Sequence, residues 1–368
     1  MESLVQDALQ NAKYNSTDNL KVGEANIVVM GCGGGGNNMV SWLHKKGING
    51  AKIVAINTDL QHLNITSADH KILVGRELTR GLGCGGFADK GREAAKESMH
   101  ELKTAMRDAD MVFICAGLGG GTGTGTGPVV AQIARETGAI VIGTVTMPFD
   151  IERARVDKAE FGLQQLRDSC DTVIVIDNNR LVNIAGNLPI QQAFAVANEL
   201  ISTMIKGIVE TIAVPSLVNL DYADVRAIMT NGGVSVIGIG ESDTESRVEE
   251  ATRRALTNPL LDVNYEGATG ALIHVSGGED MTLDEVNKIG EIITETLDAD
   301  ANVIWGARID SKMTGRIRVM TIITGVNSPY ILGRTNNKRP SPKALEVSEE
   351  LGIDMVSPSK PRRLAFNA

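Results

Sequence analysis

Several common sequence features are absent from this chain of 368 residues. No run approaches the roughly 18 consecutive apolar residues that span a bilayer, and residues 1–19 are polar rather than basic and then apolar. We therefore expect a cytoplasmic protein with no direct membrane insertion. The cysteines show neither CxxC spacing nor paired histidines, which disfavours a zinc site and a disulfide framework. We expect reduced, small and partly buried side chains at Cys32, Cys84, Cys115 and Cys170.

Basic residues are also fewer than acidic residues. The 36 Lys and Arg residues against 45 Asp and Glu residues give a net charge of -9, which disfavours nucleic acid or anionic lipid as a partner of the whole surface. Any polyanion that binds must therefore be held at a local site. The length and the 42% of hydrophobic residues allow a large core and favour two domains over one.

Short apolar runs alternate with amphipathic stretches between residues 26 and 177, which predicts a doubly wound, mostly parallel α/β sheet. A long helical stretch follows, and beyond it four apolar runs with two longer helical segments are typical of a smaller α+β domain. The predicted regions are a flexible N-terminal extension (1–23), an α/β domain (24–188), a connecting helix (189–214), an α+β domain (215–328) and a flexible C-terminal tail (329–368).

The first apolar run ends in the glycine-rich sequence GCGGGGNN, which begins at Gly31, and we expect a helix from about Met39. Glycines at a strand-to-helix turn let backbone N–H groups approach a phosphate, and the helix N-terminus attracts anions. Gly31, Gly33 and Gly36 also satisfy the GxGxxG pattern. That pattern alone fits a dinucleotide enzyme as well as a mononucleotide binder.

A second run, GLGGGTGTGTG from Gly117, precedes a helix that we expect to begin at Pro128. One or two glycines would indicate only a tight turn, but GGGTGTG over residues 119–125 exceeds what a turn requires. Its threonine hydroxyls can donate to phosphate oxygens. Neither run has the GxxxxGK[ST] pattern, so backbone amides, a helix dipole and a metal ion must offset the phosphate charge. A third glycine-rich segment, GLGCGG from Gly81, either turns the chain or closes over the same phosphates.

Further motifs accompany these runs in one order along the chain: VAINTD at Val54, MPF at Met147, NLDYAD at Asn219, NGG at Asn231 and TGALIHV at Thr269. Together they resemble the FtsZ family of the tubulin superfamily in its archaeal form, over about residues 26–326. The resemblance implies a tubulin/FtsZ-like fold. It also implies a GTPase of cell division that assembles head to tail into filaments and hydrolyses GTP to GDP and phosphate.

The resemblance assigns phosphate contacts to the two main glycine-rich runs and to the third, near the terminal phosphate. Residues after the second apolar run are implied to lie close to the nucleotide. The residues implied to contact the phosphates are Gly33, Gly34, Gly35, Gly36, Asn37, Gly119, Gly120, Gly121, Thr122, Gly123, Thr124, Gly125, Gly85 and Gly86. The residues implied to lie close to the nucleotide after the second apolar run are Asn57, Thr58 and Asp59. The implied ligands are GTP and GDP with Mg²⁺ held mainly by the phosphates, and K⁺ is a further candidate.

The resemblance assigns the contacts with the ribose and the base to residues further along the chain. Pro148 belongs to the MPF motif, and in the family a Glu and an Arg soon after its Pro-Phe pair hold the ribose and phosphates, which implies Glu152 and Arg155 here. Because this stretch is one residue shorter than the commoner family pattern, Arg153 is an alternative to Arg155. Asn178 is implied to contact the nucleotide as well.

Phe194 and Asn198 are spaced i, i+4, which puts a ring and an amide on one helical face. On its own, Phe194 would be read as a core residue. The resemblance implies that it stacks on guanine and that Asn198 reads the edge of the base.

The NLDYAD motif lies far along the chain from the glycine-rich runs. Taken alone, Asp221 before an apolar helical stretch is a common N-cap. The resemblance instead implies that Asn219, Asp221 and Asp224 enter the GTP site of the next subunit and orient the attacking water, with a cation possible beside the two carboxylates. The implied partners are other copies of the chain, a membrane-adaptor protein that binds the C-terminal tail, and a paralogue, with the protein at a midcell ring.

Two alternatives come from other classes. An NAD-dependent oxidoreductase would explain GxGxxG, but its ribose-binding acid is missing after the second apolar run, where Asn57 and Thr58 stand, and GGGTGTG has no role in it. A tubulin-like scaffold that shapes cells without dividing them would share the site, and only cellular experiments separate it from a division protein.

Overall fold

A computed structural model of the chain describes residues 25–213, 217–218, 222–231, 235–257, 265, 268–298 and 300–326. The predicted N-terminal extension and C-terminal tail lie outside the described residues, and so do Asn219 and Asp221. The described helices include none with the length and apolarity needed to cross a bilayer.

The first part of the chain builds a six-stranded parallel sheet with the strand order β3-β2-β1-β4-β5-β6. Its strands are β1 (Ile27–Cys32), β2 (Ala51–Asn57), β3 (His70–Leu73), β4 (Met111–Gly117), β5 (Ile140–Met147) and β6 (Thr172–Asp177). The helices between and after them are α1 (Gly33–Lys46), α2 (Leu60–Ile65), α3 (Arg76–Thr79), α4 (Ala88–Glu97), α5 (Met99–Ala105), α6 (Thr122–Glu136), α7 (Ala154–Ser169) and α8 (Asn178–Ala185).

The sheet is covered on both faces because successive side chains of a strand point to opposite sides. Ile27 and Val29 of β1 belong to a core that includes residues of α1, whereas Val28 and Met30 belong to a second core with α4, α5, α6 and α7. Burial on both faces explains why the strands read as continuous apolar runs.

A single long helix, α9 (Ile190–Ala213), follows the parallel sheet. Its apolar residues, including Ile201 and Ile208, share one core with Val29 of the first sheet and with Ile237 and Met320 from later in the chain. The helix therefore packs against both halves of the protein.

The second part contains α10 (Tyr222–Asn231), β7 (Ser235–Ser242), α11 (Arg247–Leu256), β8 (Gly270–Gly277), α12 (Leu283–Thr294), β9 (Asn302–Ile309) and β10 (Ile317–Thr324). Its four strands form a mixed sheet in the order β7-β10-β8-β9, in which only β8 and β9 are parallel. The predicted fold class, a doubly wound parallel sheet joined by a long helix to a smaller α+β part, is confirmed.

Two helix starts were predicted wrongly. Helix α1 begins at Gly33 rather than near Met39, and α6 begins at Thr122, so that Pro128 lies inside it. Glycine disfavours helices, which is why the sequence pattern places the starts later. Tertiary packing overrides that preference, because these first turns lie where little room exists for side chains.

The glycines of α6 illustrate the packing constraint. A Cβ atom built at Gly125 would lie 2.1 Å from the carbonyl oxygen of Ala88 and 2.7 Å from the backbone nitrogen of Arg92, both on α4. Likewise, a Cβ at Gly91 of α4 would lie 2.4 Å from the carbonyl oxygen of Gly121. The two helices can therefore approach this closely only without side chains at the crossing.

We predict that Gly125→Ala lowers the free energy of unfolding by at least about 2 kcal/mol, because the new methyl group overlaps immobile backbone. The matched control is Gly290→Ala in α12, where a Cβ meets nothing within 4 Å and should raise stability by about 0.5 to 1 kcal/mol. Urea unfolding of both variants measures the difference. Equal effects of the two substitutions would contradict the packing argument.

Candidate functional site

A cavity of about 610 Å³ opens at the carboxyl ends of β1, β4 and β5, where the N-termini of α1 and α6 meet. It is lined by many of the residues that the sequence predicts for a nucleotide: Gly34, Gly35, Gly120, Gly121, Thr122, Gly123, Pro148, Glu152, Arg155, Asn178, Phe194 and Asn198. A cavity of this volume suits a nucleotide-sized ligand.

The floor of the cavity is made of backbone from the two glycine-rich turns. Gly33 has a φ of 71°, and a Cβ atom there would lie 2.6 Å from the backbone nitrogen of Gly123. A Cβ at Gly35 would lie 2.9 Å from the Cα atom of Gly117. Neither α1 nor α6 has an acidic residue in its first turn, so both helix N-termini present N–H groups and positive dipole ends. The floor is therefore suited to an anion such as a polyphosphate.

Other predicted residues lie beneath the floor rather than in its surface. Asn37, Asn57 and Thr58 are buried and do not line the cavity. The Thr58 and Thr122 hydroxyls are 2.7 Å apart, and the Asn57 side-chain oxygen accepts from the backbone N–H of Thr58 at 2.9 Å. With its amide turned to satisfy its neighbours, Asn37 donates to the Gly31 carbonyl at 2.8 Å. These side chains hold the two turns together.

The remaining predicted glycine and loop residues also lie outside the cavity lining. Asp59 caps α2 by accepting from the His62 N–H at 3.1 Å, and the Thr124 hydroxyl accepts from the Gly119 N–H at 2.9 Å. Besides Asp59 and Thr124, the predicted residues outside the lining are Gly33, Gly36, Gly85, Gly86, Gly119 and Gly125.

The third glycine-rich segment packs against the second. A Cβ atom at Gly121 would lie 2.7 Å from Cys84 Cβ and 2.9 Å from the Phe87 backbone nitrogen. The Lys158 ammonium donates to the Gly86 carbonyl at 3.0 Å, which ties this segment to α7. The segment thus flanks the phosphate-suited floor without being part of the cavity surface.

An ion pair stands at one edge of the cavity. Arg155 Nη1 is 2.6 Å from Glu152 Oε2, and Glu152 also accepts from the Phe149 N–H at 3.1 Å. Between them Arg153 has a φ of 32°, a sharp bend that starts α7. Of the two arginines that the sequence leaves open, Arg155 lines the cavity and Arg153 does not.

Another wall is formed by α9, next to this ion pair. Phe194 is 40% exposed and lies one helical turn before Asn198, so both face the cavity. The rings of Phe194 and Phe149 meet edge to face, with centroids 6.1 Å apart. Asn178, the first residue of α8, completes this wall.

Several lining residues were not predicted, among them Asn38, Thr146 and Gln191. Gln191, Phe194 and Asn198 are spaced i, i+3, i+7 and share one helical face, so periodicity could have found Gln191. Thr146 lies at the carboxyl end of β5, the edge at which parallel sheets bind ligands. Asn38 carries no comparable signal.

Asp224 is the described member of the predicted catalytic trio, and it is not part of the cavity lining. It lies in the first turn of α10, and the Tyr222 hydroxyl two residues earlier donates to the Asp110 carbonyl at 2.7 Å. Asp110 directly precedes β4, whereas the cavity lies beyond the far end of the same strand, at Gly117. A parallel strand of this length spans roughly 20 Å. Within one chain, the helix of Asp224 is therefore fixed at the edge of the sheet opposite the cavity.

The cysteines near the floor do not supply a nucleophile. All four are buried. Burial raises the pKa of the Cys32 thiol to about 12, and burial likewise raises the pKa of Cys115. Both remain protonated thiols at neutral pH and act as small core side chains.

A polar cluster connects α1, which carries the first glycine-rich turn, to α9, which forms a wall of the cavity. Glu199, next to Asn198 on α9, accepts from Trp42 Nε1 at 2.7 Å and from the Lys46 ammonium, and both donors lie on α1. Lys46 also donates to the Thr203 hydroxyl. The helix that carries one glycine-rich turn is thus bonded to the helix that carries Phe194 and Asn198.

A doubly wound sheet with two phosphate-suited turns, joined by a long helix to a mixed sheet, defines a tubulin-like GTPase. The family model for the tubulin/FtsZ GTPase domain matches residues 26–186, and that for the FtsZ C-terminal domain matches residues 233–327. The chain belongs to the FtsZ family.

Named relatives support this assignment over nearly the whole chain. Cell division protein FtsZ 2 of Methanocaldococcus jannaschii is 56% identical over 96% of this chain and 96% of its own. FtsZ 2 of Halobacterium salinarum is 50% identical over 95% of this chain and 90% of its own. A solved FtsZ structure from M. jannaschii superposes with a TM-score of 0.76 at 49% identity, covering 88% of this chain and 93% of that one. The protein is a GTP-hydrolysing cell-division protein with GTP-dependent polymerisation.

We predict that Glu199→Gln lowers the free energy of unfolding by about 1 kcal/mol near pH 7, because it removes the carboxylate that forms an ion pair with Lys46. Hydrogen bonds from Lys46 and Trp42 lower the pKa of Glu199 in the folded protein. A lowered carboxyl pKa contributes stability above the unfolded-state pKa, and that contribution is lost as the pH falls through the folded-state pKa. The gap between wild type and variant should therefore shrink in acid.

Urea unfolding at about pH 7 and about pH 4, followed by far-UV circular dichroism, measures this gap. Glu160→Gln on α7 is the control, since Glu160 is exposed. A gap that widens in acid, or a Glu199 variant no less stable than the control, would contradict the prediction.

Proposed function

We propose that GTP lies in the cavity with its phosphates on the glycine-rich floor and its base against α9, and that the hydrolytic carboxylates come from the next subunit of a head-to-tail filament. The observation that carries this proposal is the position of Asp224. Its helix is bonded to the amino end of β4, while the cavity opens at the carboxyl end. One chain alone does not bring the two together.

The floor accounts for phosphate binding without a lysine. The charged residues in the cavity lining are Glu152 and Arg155, which pair with each other. Backbone N–H groups and the two helix dipoles must therefore hold most of the phosphate charge, with Arg155 reaching the nucleotide from the edge. Because Glu152 lies beside Arg155, we assign the ribose to this pair.

The next question is which groups would hold a divalent cation at this site. Among the described residues, no group of three or more His, Cys, Asp or Glu side chains could hold a metal ion. We therefore propose that Mg²⁺ is held mainly by the GTP phosphates, where it offsets their charge. We further propose a K⁺ ion beside the incoming carboxylates.

The wall accounts for base binding. An exposed ring beside an amide, one turn apart on a helix, can stack on a purine and hydrogen-bond its edge. We assign stacking to Phe194 and edge recognition to Asn198 and Asn178. Phe149, in edge-to-face contact with Phe194, holds the platform in place.

The separation of Asp224 from the cavity has a physical advantage. A carboxylate beside a triphosphate repels it, so a site that contains both would bind GTP weakly. Delivered by a neighbour after GTP is bound, Asp224, with Asn219 and Asp221, would orient a water molecule toward the terminal phosphorus. The water oxygen bonds to that phosphorus and passes a proton to a phosphate oxygen while the bond to the bridging oxygen breaks, which releases GDP and phosphate. Hydrolysis would weaken the interface that contains the nucleotide.

We propose the partners of this chain from its FtsZ relatives. The solved M. jannaschii FtsZ structure is described as a dimer, and we propose the same self-association for this chain. That organism has both an FtsZ 1 and an FtsZ 2, which are 51% and 56% identical to this chain, so a paralogue is a candidate partner. We also propose the five-part domain division, an adaptor bound to the C-terminal tail, and a midcell ring rather than a shape-determining scaffold.

We predict that Phe194→Ala weakens GTP and GDP binding by roughly tenfold or more, since stacking on an aromatic ring contributes about 1 to 3 kcal/mol per base. The matched control is Leu200→Ala, an exposed apolar residue on the same helix outside the cavity. Titration of nucleotide-free protein with GDP measures both affinities. Equal losses in the two variants would contradict the base platform.

We predict that Asp224→Ala binds GTP like wild type but hydrolyses it about a hundredfold more slowly, because the water-positioning group is lost. Its filaments should persist, since the interface retains GTP. Arg226→Gln, an exposed substitution two residues along α10, should leave both properties near wild type.

Mixing two defective chains tests the geometry. The double variant Phe194→Ala, Asn198→Ala should bind little GTP yet still deliver Asp224, whereas the Asp224→Ala chain still binds GTP. GTPase activity recovered on mixing places the site between chains. A mixture no more active than its parts, under conditions where the two chains co-pellet, would refute the shared site.

A further inference from the structure

A second cleft, of about 390 Å³, lies between α9 and the mixed sheet, and it shares no lining residue with the nucleotide cavity. Its lining combines polar residues of α9 with residues from β8, β9 and β10. Nothing in the nucleotide-binding account uses this cleft.

The cleft is rich in positive charge on a protein whose net charge is -9. Its carboxylates are Glu210, which lies 3.6 Å from Lys206, and Asp310, which accepts from the Lys312 backbone N–H at 3.0 Å. Against these two carboxylates stand the cationic side chains Lys46, Lys206, Arg308, Lys312 and Arg318.

Some of these cations already have partners. Lys46 pairs with Glu199, and Arg318 pairs with Glu241 at 2.7 Å. Over the part of the chain that the structure describes, Arg308 and Lys312 form no ion pair. Asp310 is the lining carboxylate that forms no ion pair among the described residues, and it offsets only one of these two positive charges. The excess charge favours a bound anion.

A buried donor points to the same chemistry. His274 of β8 lines the cleft, is only 4% exposed, and its Nε2 atom has no hydrogen-bond partner among the described residues. Its other ring nitrogen lies 3.4 Å from the Ser276 hydroxyl, which also lines the cleft. A buried polar atom without a partner costs about 1 to 3 kcal/mol. When the Ser276 hydroxyl donates to Nδ1, the proton of the neutral ring lies on Nε2, and a ligand acceptor there would restore a missing bond.

The charge state of His274 is set by the same surroundings. Burial and the nearby Arg308 lower its pKa to about 4, so the ring is neutral at physiological pH. A neutral imidazole offers one N–H donor, and a bound anion would favour the protonated ring. His274 is thus a reporter of occupancy as well as a candidate contact.

We propose that this cleft binds a small polyanion with phosphate or carboxylate groups, held by Arg308 and Lys312 and hydrogen-bonded by His274 and Ser276. The cleft volume lies at the lower end for ligand pockets, which favours a small metabolite over a nucleotide. Guanidinium and ammonium groups together suit oxyanions of either kind. Since Lys46 borders the cleft and bonds Glu199, the site adjoins the helix that carries Phe194 and Asn198.

The test uses the full-length protein with GDP in the nucleotide cavity, titrated by calorimetry with three probes: inorganic phosphate, succinate and 3-phosphoglycerate. We expect saturable binding of at least one probe, which also distinguishes phosphate from carboxylate recognition. The His274 ring resonances should shift with the same midpoint, because the ligand contacts or recharges that ring.

The double variant Arg308→Gln, Lys312→Gln should bind the probe at least tenfold more weakly and keep wild-type thermal stability and GDP affinity. The control double variant Arg253→Gln, Lys52→Gln removes two exposed positive charges outside the cleft and should bind like wild type. Absence of saturable binding with all three probes overturns the proposal. Equal weakening in both double variants, or none in either, also overturns it, since binding would then reflect net charge or another site.

Discussion

The close contact between two glycine-rich turns is the constraint on which the rest of the structure depends. The Gly33 Cα lies so near the Gly123 backbone that a single methyl group at Gly33 would overlap it at 2.6 Å. This contact brings the N-termini of α1 and α6 to one point at the edge of the sheet, where their dipoles and N–H groups add. Polyphosphate binding follows from backbone packing, and the buried side chains beneath, such as Thr58 and Thr122, serve to hold the turns in register.

Helix α9 links the cavity, helix α1 and the mixed sheet. Its first turns carry Phe194 and Asn198, its middle is bonded to α1 through Glu199, and its buried face shares a core with the mixed sheet. The same helix borders both the nucleotide cavity and the basic cleft. One helix therefore forms the wall proposed for the base, is bonded to the helix below the glycine-rich floor and packs against the second sheet.

Much of this arrangement could be predicted from the residues. Every described strand matches an apolar run, and the central strands of the parallel sheet give the clearest signal because they are buried on both faces. The cavity floor was predictable because GGGTGTG exceeds the need of any turn. Helical spacing predicted that Phe194 and Asn198 share one face, but only the family resemblance indicated that this face meets the cavity. The helix starts at Gly33 and Thr122 were not, since local propensity opposes them and only tertiary packing fixes them. The support role of Asn37 and Asn57, and the basic cleft, depend on contacts between segments distant in sequence, which no local pattern records.

We infer that each chain holds half of a hydrolytic site at each end of its parallel sheet. The rate of GTP hydrolysis per subunit, measured over a wide range of protein concentration, tests this claim most directly. The account predicts almost no turnover below a threshold concentration and a steep rise to a plateau above it, where subunits meet head to tail. A rate per subunit that is the same in dilute and concentrated protein would show that one chain suffices, and would contradict the account.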